Sequence, residues 1–393
     1  MTKVALLRCD DYHTPTVKEK ILEGFSNIGL DPSLFADKKV LLKPNLLNAS
    51  TAEKAVVTHP EFFRAVLQWV KACGGTPVMG ESPAFQPLSK VMKKTGYDRV
   101  VAEEGCEVAD PKKTAVLFYG GPSRFRRFEV TSALFDSDIV VNLPKFKTHG
   151  LTYVTGAVKN FFGFIHGLTK SQWHLKAPTK EAFSSFLLDL YMALLRGFEP
   201  PKRYIHIMDA IVGMEGHGPG VAGTPKKIGA ILMGDDAVAV DSVAASLVGL
   251  DKSKLYTLTL GEERELGAAG FEKIDVRGSA PEEFHIDDFV PSRGTLGSHV
   301  ERWPMNTSFF KNLVIERPVP SRERCTLCYQ CKAICPGGAI AHGGEDNGVP
   351  SYDYEKCFRC LCCMEICPEA AIRLKKGSLQ WLLESWARWK RIG

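Results

Sequence analysis

Residues 3–45 read KVALLRCDDYHTPTVKEKILEGFSNIGLDPSLFADKKVLLKPN. Three signals follow one another in it. Lys3–Leu7 is an apolar run of strand length. Thr16–Ile28 carries helical periodicity. Lys39–Leu42 is a second short apolar run, ending in Lys43-Pro44-Asn45. The alternation continues downstream. Pro60–Cys73 is helical in pattern and stops at Gly74-Gly75, and Pro77–Gly80 is a short strand followed by Glu81-Ser82-Pro83. Ile139–Leu143 reads as a buried strand ending at Pro144, and Lys180–Leu195 as a helix. Arg203–Met208 and Lys227–Met233 read as strands, and Ala237–Val248 as a helix. Alternating strands and helices predict an α/β region over residues 1–290, with a mostly parallel sheet and flanking helices. Such sheets take ligands at the carboxyl ends of their strands.

Composition bounds the rest. A chain of 393 residues has room for two or three domains. Its 45% apolar and 24% charged content is that of a globular protein, not of a disordered or collagen-like one. No run approaches the roughly 18 apolar residues of a membrane span, so no integral membrane segment is expected. The formal net charge of +5 is small and dispersed, which gives no argument for nucleic acid. The opening Met1-Thr-Lys-Val-Ala-Leu-Leu-Arg8 breaks its apolar run with a charge almost at once. No secretory or twin-arginine signal is read there, and a cytoplasmic location is expected.

Nine of the twelve cysteines fall between Cys325 and Cys367. In a chain without a signal peptide, such clustering points to metal rather than disulfides. The first run is Cys325-x2-Cys328-x2-Cys331-x3-Cys335-Pro336, the second Cys357-x2-Cys360-x2-Cys363-x3-Cys367-Pro368. Both have the spacing of bacterial two-cluster ferredoxins, in which three close thiolates wrap one cubane and the cysteine before proline reaches the other. Cys325, Cys328, Cys331 and Cys367 are therefore expected to hold one [4Fe–4S] cluster, and Cys357, Cys360, Cys363 and Cys335 the second. The repeat of about 32 residues implies two similar half-units. Structural zinc is the alternative, but zinc ribbons use separated CxxC pairs rather than four cysteines ending in Cys-Pro. Cys362 is surplus to the spacing. It is read as a small buried residue, with ligand swapping the other option.

Polar residues gather at the predicted strand ends. Lys43 and Asn45 follow the second strand. Lys145, Lys147, Thr148 and His149 follow Ile139–Leu143, and a glycine-punctuated stretch then carries Lys159 and Asn160. Asp209, Glu215 and His217 follow Arg203–Met208 in a glycine-rich segment read as a loop. Lysines at one sheet edge suit a carboxylate or phosphate; the plainer reading is a solvated edge. Asp235 and Asp236 precede a helix and read as caps. Asp241, one turn inside that helix, is left facing either pocket or solvent. His166 and His174 are secondary proton-donor candidates.

Some motifs are rejected. Gly218-Pro-Gly220-Val-Ala-Gly223 spells G-x-G-x-x-G, but a strand follows where a dinucleotide fingerprint needs a helix. There is no P-loop and no G-x-S-x-G elbow. Residues 291–320, rich in Pro, Ser, Gly and Arg, read as a linker ahead of the cysteine region at 321–377. The tail 378–393 is an amphipathic pattern with Trp381, Trp386 and Trp389. Packing against the protein and lying on a membrane surface both stay open for it.

The strings Lys43-Pro-Asn-Leu, Pro144-Lys-Phe-Lys-Thr-His149, Gly156-Ala-Val-Lys-Asn160, Gly213-Met-Glu-Gly216-x-Gly218-Pro and Gly234-Asp-Asp-x-x-Ala-Val-Asp241 resemble those of the domain-of-unknown-function 362 family. Many of its members carry a C-terminal two-cluster ferredoxin domain. The resemblance implies an iron–sulfur protein of redox metabolism and no particular activity.

Two functions follow as expectations. In the first, an iron–sulfur oxidoreductase passes single electrons through two [4Fe–4S] clusters to an anionic substrate or second cofactor in the α/β region. Lys147, Lys159 and His149 would then be catalytic, the lysines stabilising negative charge and His149 moving the proton. Lys43, Asn45, Lys145, Asn160, Glu215 and Asp241 would bind the ligand. In the second, the chain is a non-catalytic electron carrier or maturation protein docking on a partner enzyme. Either reading needs a redox partner protein.

Overall fold

The computed structural model describes residues 1–167, 169–284, 286–292, 315–344 and 348–377. Its N-terminal part opens with β1 (Thr2–Arg8), α1 (Thr14–Ile28), β2 (Lys39–Pro44), α2 (Pro60–Ala72), β3 (Thr76–Met79), α3 (Leu88–Thr95), α4 (Tyr97–Glu103) and β4 (Glu107–Val108). A separate hairpin, β5 (Thr114–Phe118) and β6 (Arg127–Thr131), precedes β7 (Ile139–Leu143), β8 (Lys145–His149), β9 (Tyr153–Thr155) and α5 (Ala157–Asn160). Then come α6 (Thr169–Lys176), α7 (Lys180–Arg196), β10 (Arg203–Gly216), β11 (Gly223–Gly234), α8 (Ala237–Leu247), α9 (Tyr256–Glu263) and β12 (Ile274–Gly278).

The central sheet runs β12-β1-β11-β10-β7-β2-β3-β4, with β8 pairing β10 and β9 pairing β8. β12 lies parallel to β1, and β10, β7, β2, β3 and β4 are mutually parallel. β11 runs antiparallel to both β1 and β10. The architecture is thus mixed α/β, with a mostly parallel sheet and flanking helices. The strands are apolar on both faces because both faces are covered. Val4, Leu6, Leu41 and Val140 pack into a core with α7 and α8, whereas Ala5, Leu7, Val40, Leu42 and Val141 pack with α1 and α2. As expected, Asp236 caps α8, its Oδ1 accepting from the N–H groups of Val238 (2.9 Å) and Ala239 (3.0 Å).

Two expectations are corrected. Asp209 and Glu215 are not in a loop: β10 continues to Gly216, because after leaving β7 it pairs with β8 on one side and β11 on the other. Lys145–His149 is likewise a fully buried strand rather than a strand-end loop. The Gly218–Gly223 segment connects β10 to β11 without opening a helix, consistent with rejecting a dinucleotide fingerprint.

Residues 315–377 contain β13 (Arg317–Pro320), α10 (Gln330–Ile334), β14 (Ile340–Ala341), β15 (Ser351–Tyr352), α11 (Cys362–Ile366) and β16 (Ile372–Lys375). β13 pairs antiparallel with β16, and β14 with β15. Arg317–Pro320, read from sequence as linker, is therefore a strand; its prolines sit in a two-stranded ladder that leaves an edge open to them. The remainder of that linker, 293–314, and the tail 378–393 lie outside the described residues. No described helix is long and apolar enough to cross a membrane.

Candidate functional site

A polar row crosses the carboxyl ends of three parallel strands. Register places Lys43 of β2 beside Asn142 of β7, and Asn142 beside His206 of β10. All three are fully buried, so each needs a partner. Lys43 Nζ pairs with Glu81 Oε2, and the same carboxylate accepts from the N–H groups of Leu46 (3.3 Å) and Ser82 (2.8 Å). Burial lowers the Lys43 pKa, and Glu81 opposes the shift. Asn142 Nδ2 donates to Ala157 O (2.9 Å) and faces His206 Nδ1 at 3.1 Å.

This row seats the segment 156–163. Asn160 Nδ2 donates to Asn142 Oδ1 (2.7 Å) and to Lys43 O (3.2 Å), while its Oδ1 accepts from Asn45 Nδ2 (2.9 Å). Asp241 accepts from the N–H groups of Ala157 and Val158 at the start of α5. That approach is open only to glycine at 156, where a Cβ would collide with the Asp241 carboxylate. At Gly163 a Cβ would collide with Lys43 Nζ and Glu81.

Against this scaffold lies a cavity of about 90 Å³. Its wall includes Asn45, Glu81, Lys159, Asn160, Phe162, Lys170 and His174 from the α/β part, and Ile334, Cys362, Glu365 and Ile366 from the cysteine-rich part. Lys170 Nζ donates to Ser82 O, and burial brings its pKa down to about 7. His174 stacks on Phe183 with ring centroids 4.4 Å apart. Its Nδ1 is buried without a partner, and burial pushes its pKa down to about 3, so the ring is neutral. Lys159 Nζ sits 5.4 Å from the Phe162 ring and has no hydrogen-bond partner among the described residues. Burial lowers its pKa, opposed by Glu365 and Cys362.

The residues expected from sequence are divided by the structure. Asn45, Lys159 and Asn160 line the cavity. Lys43 and Lys147 support it from behind: Lys147 Nζ donates to Asn45 Oδ1 (2.7 Å) and Val56 O (2.6 Å). His149 Nδ1 accepts from Leu151 N (3.0 Å), which leaves the proton on Nε2, 3.4 Å from Glu365 Oε1. Burial holds this imidazole neutral, so the contact is a long polar one and not an ion pair. The other three stand apart from the cavity lining. Lys145 is bonded to Asp209 and Tyr12, and Glu215 accepts from Val290 N. Asp241 faces neither pocket nor solvent, because the start of α5 claims its carboxylate. His166 is bonded to Pro111 O.

Two smaller cavities lie within residues 315–377. One is lined by Cys325, Cys328, Cys331 and Cys367; the other by Cys335, Cys357, Cys360 and Cys363, with Cys362. All the cysteines are free thiols. Among the described residues, no three His, Cys, Asp or Glu side chains converge on a single-ion site. The two loops match position for position. Leu327 and Tyr329 in the first, and Arg359 and Leu361 in the second, all have positive φ, between 53° and 65°. The Cys335 and Cys367 sulfurs each accept an N–H from four residues on, from Ala339 and Ala371, both at 3.3 Å. The halves differ where they meet the large cavity: Cys362 stands where the first half has Gln330, and Glu365 where it has Ala333. Cys362 lines both its own cysteine cavity and the large one. Its hydrogen bond to Cys360 raises its pKa and lowers that of Cys360.

The family model for Domain of unknown function (DUF362) matches residues 40–246, more than half of the chain. The chain belongs to the DUF362 family. It is 29% identical over 294 residues to a thylakoid-associated protein of Synechocystis sp., an alignment covering 73% of this chain and 86% of that protein. Two solved structures are distantly similar. One is a Thermotoga maritima protein, with TM-score 0.38, 14% identity and 65% of this chain covered. The other is the lactate racemase apoprotein of Thermoanaerobacterium thermosaccharolyticum, with TM-score 0.37, 11% identity and 60% covered. The matches span 60% and 55% of those solved chains. Within the DUF362 match, Gly156-Ala-Val-Lys-Asn160 has a direct physical sense here: Gly156 admits Asp241, Lys159 enters the cavity, and Asn160 clips the segment to the strand ends.

Four cavity residues were not among the expected site residues. Glu81 and Lys170 lie outside the lysine-rich strings, although Glu81 follows β3 as directly as Lys43 ends β2. Cys362 is surplus to the cysteine spacing, and Glu365 is one of several positions at which the two halves differ, so no local signal marks it.

Buried neutral histidines set an acid limit on this DUF362 fold. Burial pushes His59 down to about 4, and His174 and His206 to about 3. The unfolded chain therefore binds more protons than the native state between the ordinary histidine value near 6.5 and those depressed values. Their contribution is fully present above about pH 6.5 and is lost as pH falls toward 3–4. Urea midpoints measured across this window are expected to fall with acidification. His206→Gln should reduce the slope by about 1.4 kcal/mol per pH unit; an unchanged slope would place the proton uptake elsewhere.

Proposed function

We propose that this chain is an iron–sulfur oxidoreductase. In this reading residues 321–377 form a ferredoxin-type domain with two [4Fe–4S] clusters, joined by a linker to the α/β domain of residues 1–290. Cys325, Cys328, Cys331 and Cys367 would hold one cluster, and Cys335, Cys357, Cys360 and Cys363 the other. Bound there, each cluster would supply one-electron transfer.

The residues fit that group in three respects. The first small cavity is lined by four thiols, three from one loop and one from the other, the donor set a cubane requires; the second is lined by the equivalent four with Cys362 beside them. Non-glycine residues held at positive φ at matching positions turn backbone N–H groups into concavities of the kind that receive anionic iron–sulfur clusters. The paired N–H···S bonds on Cys335 and Cys367 add donors to the thiolates.

The observation that carries the oxidoreductase reading is the shared wall at Cys362. One side of this buried residue faces the second cysteine cavity, and the other faces the lysine-lined cavity. A ligand held there would be separated from the second tetrad by a single side chain. Lys159 would meet its negative charge, while Asn45 and Asn160, fixed by Lys147 and the strand ends, would orient it. Glu365 lies on the same wall, with His149 Nε2 behind it at 3.4 Å, and this contact would offer a route for a proton.

A carrier function is supported by a different observation. The first loop is open to solvent at Leu327, 43% exposed, and at the neighbouring Cys328, an edge on which a redox partner protein would dock. The two readings separate in one experiment. Anaerobically reduced protein is mixed with small anionic acceptors, and reoxidation is followed by visible absorbance. Ala84 lies on the wall of the large cavity, and the enzyme reading predicts saturable reoxidation that is lost when Ala84→Phe fills it, with iron content unchanged. Reoxidation only by a partner protein, and equal in Ala84→Phe, would leave the carrier.

A further inference from the structure

The large cavity has definite charge and wall chemistry. Charge narrows the class. Lys43 is matched by Glu81. Glu365 sets one negative charge against Lys159 and Lys170, and His174 is neutral. Lys147, bonded to the wall residue Asn45, adds a further cation behind the lining, so the lysines outnumber the carboxylates, which suits an anion. His174 Nδ1 is buried without a partner. Lys159, half-buried on the cavity wall, has no hydrogen-bond partner among the described residues and lies 5.4 Å from the Phe162 ring. Phe162, Ile334 and Ile366 supply apolar wall.

We propose that this cavity binds a small monocarboxylate, its carboxylate on Lys159 and its apolar body against Phe162, Ile334 and Ile366. The proposal rests on the reading of this cavity as the ligand site. It is independent of whether electrons arrive there. A ligand carboxylate gives the Lys159 ammonium the charged hydrogen-bond partner it lacks among the described residues.

Calorimetry on the anaerobically purified full chain tests it, with crotonate, benzoate, inorganic phosphate and flavin mononucleotide as probes. Crotonate or benzoate is expected to bind, and Lys159→Met to weaken that binding by roughly 10–100-fold, the worth of a charged hydrogen bond. Lys159→Met should also leave the urea midpoint unchanged or higher, which excludes misfolding as the cause of weaker binding. Ala84→Phe should abolish binding by occupancy. Tighter binding of phosphate or of the flavin nucleotide, no carboxylate binding at full iron content, or carboxylate affinity unchanged in Lys159→Met would each overturn the proposal. Carboxylate binding without reoxidation of the reduced protein would remove the oxidoreductase reading and leave this one standing.

Discussion

Asp209→Ala lowers the stability of the fold by about 3–5 kcal/mol, the range found when one partner of a buried ion pair is removed. Asp209 is fully buried on β10. It accepts from Lys145 Nζ (2.8 Å), Tyr12 Oη (2.9 Å) and His59 N (2.9 Å). Alanine leaves the Lys145 ammonium, 1% exposed, without its counter-charge, and leaves an orphaned N–H at the start of α2. The charge dominates, because a buried ammonium costs far more than an unmade neutral hydrogen bond. Adding Lys145→Met to Asp209→Ala should therefore recover most of the loss, since an apolar pair of similar volume is often as stable as the ion pair. Urea unfolding checks both variants through the midpoint at unchanged slope. A double variant no more stable than the single one would assign the cost to Tyr12 and His59.

If the two-cluster proposal holds, Cys335→Ala is expected to remove about half of the iron, the half held with Cys357, Cys360 and Cys363. Cys335 belongs in sequence to the first motif, but the cavity it lines is that of the second. Cys362→Ala, by contrast, keeps the full iron content, because Cys362 is the hydrogen-bond partner of Cys360 and not one of the four assigned ligands. Iron and acid-labile sulfide assays, with electron paramagnetic resonance of the reduced protein, distinguish the outcomes. Full iron in Cys335→Ala, or half iron in Cys362→Ala, would exchange the roles of the two residues.

Most of the architecture was legible because it rests on apolar periodicity. Ile139–Leu143 is buried at every position and reads as a strand from its composition alone. β8 was not legible. Lys145-Phe-Lys-Thr-His149 has two lysines and a histidine in five residues, and it is buried only because Asp209, Asn45 and the Val56 carbonyl await those lysines from distant parts of the chain. No local pattern announces such partners. Strand-end logic brought Asn45, Lys159 and Asn160 to one cavity, but it also gathered Lys145, Glu215 and Asp241, whose charges are spent on structure. Asp241 shows why: sequence left it between pocket and solvent, and the third option, capping a short helix across a glycine, depends on packing. Glu365 escaped because it lies in the cysteine motif, where spacing drew all the attention.

The central claim is that two iron–sulfur clusters stand beside a ligand cavity in one chain. The most direct measurement is anaerobic purification followed by an inventory of what remains bound: iron, sulfide and zinc per chain, electron paramagnetic resonance after reduction, and mass spectrometry of released small molecules. The account predicts about eight irons and eight sulfides per chain, a reduced-cluster signal, and a small carboxylate released on denaturation. About two zinc ions per chain with neither iron nor sulfide would contradict it, and would make the cysteine region a structural module.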